Sequence, residues 1–140
     1  MDRPKTARPG KKPSRHPEEG YTVRGRIWVE KDGELYLGWG RVILLERLSE
    51  MGSIAASARS MGLTYRNAWL WIASMNRLAP SPLVEKIVGG SRGGHATLTD
   101  EGRRAVAMYK ELHARLEKLL AQEDLCVNHA SGIPHNPKVQ

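Results

Sequence analysis

Apolar residues first alternate with polar ones in RIWVE and ELYLG, residues 26–30 and 34–38, on either side of KDG. The Asp32-Gly33 pair between β-branched and aromatic runs is a hairpin signal, so two short strands are expected. The rhythm then changes. RVILLERLSEM, residues 41–51, is apolar at 44, 45, 48 and 51, the stripe of a helix packed on one side. Gly52 can end that helix and Ser53 can cap the next, because a serine oxygen accepts an unpaired amide of the first turn. The next helix, SIAASARSM, is short, alanine-rich and apolar at 54, 58 and 61, as suits close crossing. Gly62 tolerates a left-handed turn, Leu63 supplies an apolar contact, and Thr64 can cap a third helix, TYRNAWLWIASMN. The sum is helix, turn, helix, with the spacing of a DNA-reading unit.

Beyond it, SPLVEKIVGGSRGGHATLT (residues 81–99) predicts strand, glycine-rich loop, strand. Thr99 offers a cap for a long helix over 99–122, whose apolar positions 105, 109, 112, 116 and 119 alternate steps of four and three as a heptad seam does. Residues 1–22 are basic, proline-rich and almost without apolar side chains, which predicts a disordered arm, and 123–140 are expected to be a flexible tail. One domain is therefore expected over 23–122, mainly α with small β hairpins.

On the third helix, Ala68, Ile72, Met75 and Ala79 share one side with Trp71 beside them, and this is the expected core face. Arg66, Leu70, Ala73 and Arg77 point nearly opposite, with Asn67 and Trp69 on the flanks; Trp69 is expected to pack over the edge of the core. An arginine and an asparagine in the first turn suit base recognition, since the former pairs with guanine and the latter with adenine in the major groove. Thr64 and Tyr65 can bond phosphate oxygens from the same turn. A solvated helix face is the bland alternative for Arg66 and Asn67.

Charge changes the balance. Lys and Arg number 22 against 15 Asp and Glu in 140 residues, which favours a polyanionic partner. No apolar run reaches membrane-spanning length and no signal-peptide centre is present, so a cytoplasmic protein is expected, with no membrane partner. GGSRGGH precedes a strand rather than a helix, which disfavours a nucleotide loop and favours a hairpin wing with Arg92 and His95 toward DNA. The carboxylates are scattered, with no nucleophile, base and acid grouping, so an enzyme is not expected and no cofactor is called for. Cys126, His129 and His135 form only a weak metal set without a fourth ligand; a metal-sensing regulator stays open, as does a nonspecific nucleoid-type binder.

The run VILLERLSEMGSIAASARSMGLTYRNAWLWIASMN, followed by LVEKIVGGSRGGHATLTDEG, resembles the amino-terminal winged helix-turn-helix domain of the ModE family of molybdate-responsive regulators, a relative of the LysR-type DNA-binding domain. The resemblance spans residues 26 to about 120 and includes the KDGELYLGWGRV entry segment. It implies a homodimer whose long last helix dimerises and whose second motif helix reads a palindromic operator in double-stranded DNA. Carried over by position, it puts Thr64, Tyr65, Arg66 and Asn67 at the reading turn and Arg92 near the wing tip; Ser53, Leu70 and His95 complete the candidate DNA-contacting set. Ala105, Tyr109, Leu112, Leu116 and Leu119 are the candidate dimer residues, with the strands near Trp28 and Leu35 beside them. Full-length members add tandem oxyanion-binding domains; at 140 residues a single-domain form is expected, without direct molybdate binding but linked to molybdate or tungstate metabolism.

Overall fold

The structure is a computed structural model that describes residues 20–87 and 95–129, with side chains described as far as Glu123. Contacts divide the chain into two units, one running from Ile27 to Leu112, and another whose described residues are 20–26 and 113–129.

The first unit opens with β1 (Val29–Lys31) and β2 (Glu34–Leu37), paired antiparallel with Lys31 opposite Glu34. The turn works because Asp32 and Gly33 both adopt positive φ, 51° and 81°, the combination whose twist matches the strands it joins. The expected strand over 26–30 begins only at Val29, and the ladder shifts register between Val29 and Glu30. Helix α1 (Trp39–Met51) then buries Val42, Leu44, Leu45 and Leu48. Met51, expected on that stripe, is exposed. It is the last helical residue, and the chain turns away at Gly52, whose φ of 67° forms a left-handed cap.

Helix α2 (Ile54–Ser60) starts where the Ser53 hydroxyl accepts the Ala56 amide at 3.2 Å. Its buried serine, Ser57, donates its hydroxyl to the Ser53 carbonyl at 2.7 Å, so a polar side chain enters the core with its partner alongside. The turn to α3 is closed by the Leu63 amide donating to the Ala58 carbonyl across Gly62, at φ 68°. Helix α3 (Tyr65–Leu78) buries Ala68, Ile72, Met75 and Leu78, with Trp71 packed against the same core.

Strands β3 (Val84–Lys86) and β4 (Ala96–Leu98) form a second antiparallel hairpin, extended by a bridge between Ser53 and His95. Helix α4 (Asp100–His129) begins at Thr99, whose hydroxyl accepts the Gly102 amide at 3.0 Å. It continues past the expected end at 122 because Ala, Gln, Glu and Leu carry the backbone on after the apolar stripe fades. The expected tail over 123–140 is thus helical as far as His129. The expected disordered arm falls mostly outside the described residues.

One apolar core joins both hairpins to the helices, including Leu37, Ile54, Leu83, Val84, Ala96 and Leu98. Ala105 and Tyr109 also belong to it, at 5% and 1% exposure, and the Tyr109 hydroxyl donates to the Ile27 carbonyl at 2.8 Å. Two of the five expected dimer positions therefore serve the core of their own unit. They share that core with Leu37, Val42 and their neighbours because α4 lies within that unit as far as Leu112, where the heptad spacing cannot distinguish an internal partner from a second chain. Leu112 and Leu116 are half-buried and Leu119 is exposed. In the second unit, Leu116 and Leu120 lie within 4 Å of the position a Cβ on Gly25 would take.

Candidate nucleic-acid interface

Helix α3 carries two faces with opposite roles. The Thr64 hydroxyl accepts the Asn67 amide at 3.1 Å, which fixes the first turn without a charged side chain. Around that cap, Thr64, Tyr65, Arg66 and Asn67 are all exposed. Leu70 lies one turn further along and is 51% exposed, a large apolar side chain held in solvent beside Arg66. The unpaired amides of the helix start add a partial positive charge to the guanidinium.

Trp69 is a correction. It is 40% exposed and does not belong to the core cluster; Trp71 fills that place, over Gly40. What lies over the Trp69 ring instead is the Lys86 ammonium, 4.5 Å from its centre.

The remaining sequence-derived residues are distributed as follows. The Ser53 hydroxyl accepts the Ala56 amide as the cap of α2, and the residue lies opposite His95 in an isolated bridge beside which the Ala96 amide donates to the Gly52 carbonyl. His95 is exposed, and its carbonyl accepts the Ile87 amide at 3.0 Å. Arg92 lies outside the described residues, as do His135 and the side chains of Cys126 and His129. Among the described residues no group of three His, Cys, Asp or Glu is arranged to hold a metal ion. No helix among them is long and apolar enough to cross a membrane.

Two residues that position α3, Asn76 and Arg41, carry no role in the sequence reading, and a third, Arg77, is expected there only as part of the outward face. Asn76 accepts the amides of Leu83 and Val84 at 2.8 and 3.1 Å and donates to the Val84 carbonyl at 3.1 Å, which fastens β3 to the helix. Its signal was an amide side chain beside the apolar face, where solvent is scarce. Arg41 donates to the carbonyls of Leu35 and Tyr36 and to the Ser74 hydroxyl, at 2.8, 3.3 and 3.2 Å. Partial burial pulls its guanidinium below the usual arginine range. Arg77 pairs with Glu34 and ties α3 to the first hairpin; that hydrogen bond and charge hold Glu34 below the ordinary carboxylate range.

The fold and this exposed turn define a small helix-rich module that presents a basic, capped helix start over a single core. No protein-family model matches the chain. Among curated proteins it is similar to "Molybdenum transport protein ModE" of Azotobacter vinelandii, 39% identical over 76% of this chain and 40% of that protein. It is also similar to "Molybdenum-pterin-binding protein MopB" of Rhodobacter capsulatus, 37% identical over 79% of this chain and 40% of that one. The "DNA-binding transcriptional dual regulator ModE" of Escherichia coli is 38% identical over 56% of this chain and 29% of its own length. The chain belongs to the ModE family. Its matches to the first two of these relatives span 40% of their length.

Proposed function

We propose that this chain is a sequence-specific, DNA-binding transcriptional regulator of the winged helix-turn-helix type, acting as a homodimer on a palindromic operator. In this reading α2 and α3 are the motif, β3 and β4 are the wing, and α3 enters the major groove. The observation that carries it is the exposed quartet Thr64, Tyr65, Arg66 and Asn67 at a helix start whose opposite face is fully committed to the core. Arg66 and Asn67 are the base-reading side chains, while Thr64 and Tyr65 take phosphate oxygens. The net charge of +7 supports a polyanionic partner. The names of the relatives support a physiological link to molybdate.

The test starts with selection of bound sites from random duplexes, with and without molybdate. The selected site and a scrambled duplex are then titrated with the parent chain, Arg66→Ala and Asn67→Ala. Each substitution is expected to cost about 1–3 kcal/mol on the selected site and far less on the scrambled one. Equal losses on both duplexes would identify a nonspecific binder and refute the proposal.

A further inference from the structure

The second hairpin carries a cation whose position is set by α3. Val84 and Lys86 are two residues apart in β3, so their side chains leave the same face of the strand. Val84 enters the core, and Lys86 reaches past the edge of that core onto Trp69. On α3, Asn76 and Trp69 are seven residues apart, two turns, and so lie on one side of the helix. Asn76 grips Leu83 and Val84; Trp69, nearer the helix start, receives Lys86. Strand and helix thus run in opposite senses, and Lys86 is carried toward the turn that holds Tyr65, Arg66 and Asn67. Tyr65, one turn before Trp69 on the same flank, is 50% exposed.

This rests on the reading of α3 as the helix that enters DNA. We propose that Lys86, seated over Trp69, is a preset contact for one backbone phosphate of the duplex, and that Trp69 is its positioning residue. An ammonium over an indole face keeps its outward N–H groups available, and the ring costs it less desolvation than a carboxylate partner would while restricting its swing. The exposed rings of Tyr65 and Trp69 offer the adjoining deoxyribose an apolar surface. Phosphate contacts carry no sequence information, so this site adds affinity on any duplex and leaves the choice of bases to Arg66 and Asn67.

The experiment is a salt titration of binding, on the selected site and on a scrambled duplex, for the parent chain, Lys86→Met, Lys86→Arg and Trp69→Leu. Each phosphate neutralised contributes about 0.9 to the slope of log affinity against log salt. Lys86→Met is expected to make the slope shallower by about that amount on both duplexes and leave discrimination between them intact, and Lys86→Arg to keep the parent slope. Trp69→Leu retains the charge but releases it, so the slope is kept while affinity falls about 2- to 5-fold. A parent slope in Lys86→Met, with DNA still bound, would overturn this inference and leave the proposed function standing. A parent chain that binds no duplex would overturn both.

Discussion

At Gly102 the backbone of α4 passes so close to Leu83, the residue before β3, that a side chain has nowhere to go. A Cβ there would sit 2.2 Å from the Leu83 carbonyl oxygen. That oxygen is not free to retreat, because it accepts the Thr99 amide at 2.9 Å, while the Thr99 hydroxyl donates to the Pro82 carbonyl at 2.6 Å. Glycine in a helix interior ordinarily costs about 1 kcal/mol against alanine, so Gly102→Ala would stabilise an isolated helix. Here overcrowding against backbone, about 1–3 kcal/mol or more, exceeds that gain. Gly102→Ala is expected to lower unfolding free energy by about 1–2 kcal/mol, which moves the melting temperature down by several degrees in a domain of this size. A melt followed by circular dichroism decides it; a variant as stable as the parent would mean the contact relaxes freely.

At the scale of elements, attachment matters as much as formation. Strand β3 has only three residues, and its inner end hangs on Asn76. Asn76→Ala would strand two amides and one carbonyl in a partly buried seam, where each orphaned group costs about 1–3 kcal/mol less whatever water recovers. A total loss of about 2–4 kcal/mol is expected, with the Leu83 and Val84 amides exchanging with solvent faster than those of α1. Uniform protection across the two would refute the clamp. Local chemistry made much of this fold legible in the sequence: Ser53, Thr64 and Thr99 cap the helices assigned to them, Gly52 and Gly62 take positive φ, and Asp32-Gly33 makes the hairpin. Those signals act within a few residues. Trp69 departs from its expected place, and Asn76 and Lys86 give no local signal, because their partners lie seven to eight and seventeen residues away, across an interface no local period encodes. Of the candidate site, the exposure of Thr64 to Asn67 and of Leu70 followed from helical geometry alone.

For the whole molecule, the proposed dimer depends on what is left of the heptad seam. Ala105 and Tyr109 fill their own core, and burial raises the Tyr109 hydroxyl above the usual tyrosine range. Altering either would unfold the unit that holds α3 and say nothing about association. Leu119 is different: it is 50% exposed on a helix that continues ten residues beyond it. An apolar side chain that a partner helix covers can be made acidic without touching the core. Leu119→Glu is therefore expected to melt as the parent does and to shift from dimer toward monomer in sedimentation at micromolar concentration. A buried leucine contributes about 1.5–3 kcal/mol, and a two-fold interface loses it twice, so association should weaken by at least a hundredfold. Two reading helices about 34 Å apart match successive turns of one groove face, and a monomer has only one. Leu119→Glu should accordingly bind a half-site as the parent does and lose its advantage on the full palindrome. An unchanged sedimentation coefficient with unchanged palindrome preference would place the dimer contact elsewhere on the molecule.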